Sequence, residues 1–163
     1  MRIVLVFFAV VIAFSGESAR IGRVQLEDQF QKQHLIEFPT AKPLFIAISD
    51  RHGAESLNEW VRAATNQFGS AVFYIGIADV REVPPFLKGF VRKKFAKAYS
   101  YPVLLDWTGK AVLPLRPSGG EPNIYIVAPD GSISGREKGD FGRDKISRLE
   151  KLLKASLSTG GVD

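Results

Sequence analysis

The chain of 163 residues contains no cysteine. That absence excludes a cysteine nucleophile, a dithiol redox centre and thiolate metal ligands before any fold is considered. It also means that a folded domain made from this chain is held by its core alone, without a disulfide. Histidine is scarce, with two residues, His34 and His52. They lie far apart and show no metal-ligand spacing such as H-x₃-H or H-E-x-x-H, so no metal site is expected. Gly119-Gly120 has neither a phosphate-loop nor a dinucleotide-binding context, and Ser49, Ser56 and Ser70 lack the setting of a nucleophile elbow. No cofactor is expected.

What is present is ordinary for a globular chain: 45% hydrophobic and 24% charged residues. The longest apolar run is 12 residues, Ile3 to Phe14. It follows Met1-Arg2 and precedes the small and polar stretch Ser15 to Ala19, the three-part layout of a secretory signal peptide. A bilayer-spanning helix needs roughly 20 apolar residues, so an uncleaved anchor is the lesser alternative. The expectation is a signal peptide over residues 1–19 and a domain exported to a periplasm or secreted. Net charge is +5. Such a charge serves solubility, or attracts anionic lipid or nucleic acid. Export leaves nucleic acid aside as a partner.

Beyond the leader, residues 20–40 read as a lead-in: 20–32 are polar without a clear period, and Leu35, Ile36 and Phe38 suit one short strand. Pro43 to Ile48 is a continuous apolar run, as in a strand buried on both faces. The polar loop Asp50-Arg51-His52-Gly53 follows. Ser56-Leu57-Asn58-Glu59 has the form of a capping box. Leu57, Trp60, Val61, Ala64 and Phe68 then recur at helical spacing, and Gly69 is a natural stop. Ala71 to Ile77 reads as a second buried strand, giving a βαβ unit.

Pro84-Pro85 opens a second helix. Leu87, Val91, Phe95 and Ala98 share one face of it, while Lys88, Arg92, Lys93, Lys94 and Lys97 fill the rest. Those cations are either a solvated helix face or a contact with a membrane surface. Tyr101 to Leu105 forms a third strand and Asp106-Trp107-Thr108-Gly109 a turn. Trp60 belongs to the core; Trp107 is open to packing or to a partner. Asn123 to Val127 and Ser132 to Ser134 are strands around the hairpin signal Ala128-Pro129-Asp130-Gly131. Ile146, Leu149, Leu153 and Leu157 mark a closing amphipathic helix. The order β-α-β-α-β-β-α places the domain at 41–157, with a tail at 158–163.

Pro43 to Phe68, Tyr101 to Asp106, and Pro122 to Gly131 in this order resemble the thioredoxin superfamily, and within it the redoxin group of peroxiredoxin-like proteins and thiol reductases. The resemblance covers roughly residues 40 to 155. It implies an α/β fold, a thioredoxin-like mixed β-sheet flanked by helices. It aligns Asp50-Arg51-His52-Gly53 with the family's Cys-x-x-Cys, with Asp50 and Gly53 in the cysteine positions. Cysteines restored there are expected to close a disulfide. The resemblance also implies that Pro122 is the family's cis-proline, preceded by Glu121, on a backbone that pairs with bound peptide. A carboxylate cannot form a mixed disulfide, so the activity does not carry over with the fold.

The sequence therefore leads to a non-catalytic module that binds a peptide or protein through Asp50, Arg51, His52, Gly53, Glu121 and Pro122. Two alternatives stay open: an enzyme with acid–base chemistry at the Asp50-His52 loop, and a structural subunit of a membrane-linked redox assembly. Thiol–disulfide exchange and thiol peroxidase activity are excluded.

Overall fold

The computed structural model describes residues 19–115 and 117–159; the expected leader, apart from Ala19, and the last four residues lie outside them. Among the described residues, four α-helices flank seven strands. In chain order these are β1 (Val24–Asp28), β2 (Gln33–Ile36), β3 (Leu44–Ser49), α1 (Ala54–Phe68), β4 (Phe73–Asp79), α2 (Lys88–Ala98), β5 (Leu104–Asp106), α3 (Val112–Leu115), β6 (Asn123–Val127), β7 (Ile133–Lys138) and α4 (Arg143–Thr159). All seven strands form one mixed sheet in the order β2-β1-β5-β4-β3-β6-β7.

At the centre, β3 pairs in parallel with β4 and antiparallel with β6. The crossover through α1 is what allows the parallel pair, and the Pro129–Gly131 turn makes the antiparallel β6–β7 hairpin. Every residue of β3 is buried, as its unbroken apolar run requires. Its side chains alternate between two cores. Leu44, Ile46 and Ile48 join Tyr125, Val127, Val112 and Leu115 on one face. Phe45 and Ala47 join Trp60, Ala64, Phe68, Ile146 and Leu149 on the other, beneath α1 and α4.

Four local readings change. The polar segment 20–32 contributes β1, whose Val24, Leu26 and Asp28 are buried. β1 joins the sheet antiparallel to both β2 and β5. Its alternation is hidden in the sequence because one of the inward positions is an aspartate. Asp28 accepts hydrogen bonds from Phe30 N and Lys32 N and meets His34 Nε2 at 2.7 Å, so the carboxylate closes the β1–β2 turn. Gln29, also buried, holds the 99–103 segment through Tyr99 O, Tyr101 O and Val103 N.

The start of β4 is more exposed than a doubly covered strand: Phe73 and Tyr74 stand open, and burial begins toward Ile77. Helix α1 starts before the expected capping box. Gly53 is its N-cap, and the Ser56 hydroxyl donates to Asp140 instead of capping. The closing helix has Ile146, Leu149 and Leu153 inward as expected; the Leu157 side chain lies outside the described ones.

Helix α2 follows a 3₁₀ turn at Pro85–Leu87 and contains no buried residue. Val91 and Phe95 lean on Ala78, Val80, Val103 and Leu105, and Arg92 ties it to β1 through Asp28 O and Glu27 Oε2. Arg92 is therefore not part of a solvated basic face.

Candidate functional site

Strand β3 ends at Ser49 and delivers Asp50 to the N-terminus of α1. The loop into the helix leaves backbone N–H groups without intrahelical acceptors, and Asp50 supplies one. Its Oδ1 accepts from His52 N at 2.8 Å and from Gly53 N at 3.1 Å. Its Oδ2 accepts from Gly120 N at 2.7 Å, across 70 positions of sequence. Burial works against the charge on Asp50, but the Gly120, Gly53 and His52 N–H groups outweigh it and hold the carboxyl below its ordinary range. One carboxylate thus closes the loop that leads into α1 and clamps the 50–53 loop to the 118–122 turn.

That turn has its own lock. Asn123, buried at the head of β6, accepts from Ser118 N and donates to Ser118 O and Glu121 O. Gly120 takes φ +78°, a conformation open to glycine at little cost. Glu121 pairs with Lys138 at 3.2 Å. The Glu121–Pro122 bond is trans; among the described residues the cis bond is Phe38–Pro39. This corrects the reading of Pro122 as a cis-proline. A trans X–Pro bond is the intrinsically favoured form, and Gly120 with the Asn123 lock makes the turn without the other isomer.

The six predicted site residues come together, but in unequal states. Gly53 and Pro122 are buried against one another: a Cβ on Gly53 would lie 2.6 Å from Glu121 C and 2.9 Å from Pro122 N. A side chain at Gly53 therefore requires this backbone to shift, which weighs against paired cysteines at Asp50 and Gly53 closing a disulfide. Arg51 and His52 are exposed. His52 Nδ1 stands 3.9 Å from Asp50 Oδ1, and Arg51 Nη2 lies 3.3 Å from His52 Nε2. Gly120 and Asn123 were missed by sequence reasoning. The available signal was a polar residue opening an otherwise apolar strand.

A second carboxylate does for the β5–α3 turn what Asp50 does for the loop before α1. Asp106, fully buried, accepts from Thr108 N, Gly109 N, Ala111 N and Val112 N at 2.7–3.1 Å. Burial opposes its charge, yet these N–H groups hold its carboxyl below the ordinary range. Trp107, beside it, has Lys88 Nζ 5.1 Å and Arg92 Cζ 5.7 Å from its ring centre. No group of three or more histidine, aspartate or glutamate side chains suited to a metal occurs among the described residues.

Sheet order, flanking helices and a β3–loop–α1 start define a thioredoxin-like fold, in a chain without cysteine. Solved structures agree with the fold. Etrx1, an exposed lipoprotein thioredoxin from Streptococcus pneumoniae strain TIGR4, superposes with a TM-score of 0.62 at 15% identity, covering 81% of this chain and 100% of that one. A putative thiol:disulfide interchange protein DsbE from Chlorobium tepidum gives 0.62 at 14% identity over 86% and 96% of the two chains. Peroxidoxin BcpB from Mycobacterium tuberculosis gives 0.59 at 15% identity over 85% and 96%. At these identities the likeness shows the fold alone. No protein-family model matches the sequence, and no curated protein matches it.

Proposed function

We propose that this chain is an exported, non-catalytic thioredoxin-fold module that binds a peptide or protein at the α1 N-terminal loop. The observation that carries this reading is the Asp50 carboxylate, engaged by three backbone N–H groups. It rigidifies the loop where the redox chemistry of the fold would sit and holds Arg51 and His52 outward. Preorganised loops carrying exposed polar side chains suit recognition, because little ordering entropy is lost on binding. In this reading the contact surface is Arg51, His52 and the flank of Glu121, because Pro122 is buried.

The acid–base alternative fares worse on geometry. Asp50 has its oxygens committed to N–H donors, and the His52 side chain is 60% exposed with the carboxylate 3.9 Å away. A general base needs a substrate proton within hydrogen-bond reach and a walled site that holds the substrate there. Export is supported by the leader pattern in the sequence. Among the described residues, no helix is long and apolar enough to cross a membrane.

The test is a photo-crosslinking residue at position 51 or 52 of the full chain, expressed in its own host, with position 42, at the opposite end of β3, as the control. Discrete adducts from 51 and 52 but not from 42 are expected. Equal labelling from all three positions would overturn the proposal.

A further inference from the structure

Helix α2 and the turn before it carry large apolar side chains that the fold leaves uncovered. Phe86 is 83% exposed and Phe90 56%, with Leu87 beside them. The side of α2 that packs is the other one, where Val91 and Phe95 meet the β4–β5 core. Helical spacing puts Phe90, Lys93, Lys94 and Lys97 on one face, at i, i+3, i+4 and i+7, with Phe86 one turn earlier. Lys94 Nζ sits 5.0 Å from the Phe90 ring centre. From Val83 to Leu105 the chain has five basic residues and no acidic one. Arg92 is committed to Glu27, whereas Lys88, Lys93, Lys94 and Lys97 form no ion pair among the described residues.

Two more aromatic side chains lie at the same end of the domain. Gln29 and Arg92 draw the β1–β2 turn and the 99–101 segment toward α2, and these carry exposed Phe30 and Tyr101.

We propose that this α2 face docks on an anionic lipid surface, with Phe86 and Phe90 entering the headgroup region and Lys93, Lys94 and Lys97 meeting the lipid phosphates. Charge decides the occupant. Uncovered phenylalanines alone would suit a second copy of the chain as well. Two copies joined through this face would bring their lysine sets together with no carboxylate in the segment to neutralise them, and like charges in a desolvated contact are costly. An anionic bilayer supplies both an apolar layer and countercharge, and aromatic residues interleaved with lysine suit its interface. The proposal stands apart from the binding role of the Arg51–His52 loop.

The experiment is co-sedimentation of the full chain with vesicles of phosphatidylcholine alone or with 30% phosphatidylglycerol, at low and high salt. All variants keep the N-terminal apolar run, so its own lipid affinity is common to them. The wild type is expected to bind the anionic vesicles and to lose affinity with salt. Each lysine near an anionic surface contributes about five-fold in affinity, so K93E/K94E/K97E should weaken binding more than a hundred-fold, as about five-fold three times over. K93R/K94R/K97R should keep it, and F86S/F90S should lower it with the salt dependence intact. These side chains are exposed, and far-UV circular dichroism confirms that each variant is folded. Binding that is equal on both vesicle types, or unchanged in K93E/K94E/K97E, overturns the proposal. So does a wild-type dimer in gel filtration that F86S/F90S converts to monomer.

Discussion

Gly53 and Pro122 are packed backbone to backbone, so that a single methyl group on Gly53 would come within 2.9 Å of Pro122 N and 2.6 Å of the preceding carbonyl carbon. Gly53 has φ −81°, where alanine is comfortable. The whole cost of substitution is therefore steric. Backbone atoms cannot swing aside as a flexible side chain can, and overpacking of this kind costs about 1–3 kcal/mol. Gly53→Ala should fall in that range by denaturant unfolding, while Gly22→Ala, in open space, should change little. The same contact predicts that D50C/G53C yields free thiols by mass spectrometry after oxidation, not a loop disulfide.

Asp50→Ala removes an acceptor from three N–H groups at once. A charged hydrogen-bond partner lost from a partly buried site costs about 2 kcal/mol. The signature that separates this from a general loss of stability is local. Hydrogen exchange at Gly53 and Gly120 should accelerate more than exchange in β3 and β6, because the clamp between the two loops is gone while the sheet is intact. Uniform acceleration across the sheet would contradict the clamp.

Acid stability draws most on three of the carboxyls whose folded values lie below the ordinary ones: Asp28, Asp50 and Asp106. Burial opposes the charge in each, and hydrogen bonds to the carboxylate win. A depressed folded value means the stabilisation is fully present above the unfolded value and is lost as pH falls through the folded one. Unfolding free energy should thus be flat down to about pH 5 and fall steeply below about pH 4. In Asp106→Asn that fall should be shallower and the neutral-pH stability lower by about 3 kcal/mol, since an amide nitrogen turns toward N–H donors. A variant with the wild-type acid slope would show that Asp106 does not carry this linkage.

The central fold was legible because its signals are local. The apolar runs of β3 and β6, the stripe through Trp60, Ala64 and Phe68, and the Asp130-Gly131 turn each declare their own structure. The rest depends on distant partners. β1 is a strand because β5 and β2 flank it, and the buried Gln29 that follows it is satisfied by backbone groups of the 99–103 segment, which no window of sequence around it contains. That Asp50, Arg51, His52, Gly53, Glu121 and Pro122 lie beside one another was legible in the sequence through the family likeness. What the sequence could not reveal is which of them are spent on each other: Asp50 on Gly120, Gly53 on Pro122, Glu121 on Lys138. The isomer of Pro122 was read from family likeness, and the local turn overrides that likeness.

Helix α2 offers the last prediction, because it lacks what usually holds a helix. None of its residues is buried, so little apolar area resists its detachment. Its tether is Arg92, whose guanidinium donates to Asp28 O at 2.8 Å and to Glu27 Oε2 at 2.6 Å. Both partners lie on β1, so the side chain bridges the helix to the sheet. Glu27 is more than a third exposed, and solvent screening keeps the pair's contribution to about 1 kcal/mol. Global stability should therefore change little in Arg92→Ala. Opening of α2 should change more, since the same energy is a large share of what holds a weakly packed segment. Hydrogen exchange across residues 88–98 should accelerate about five-fold, as about 1 kcal/mol implies, while exchange in β3 and α4 stays as in the wild type. Arg92→Lys keeps the charge but not the two-pronged geometry, and should recover only part of the protection. Equal protection of α2 in wild type and Arg92→Ala would mean that Val91 and Phe95 alone hold the helix.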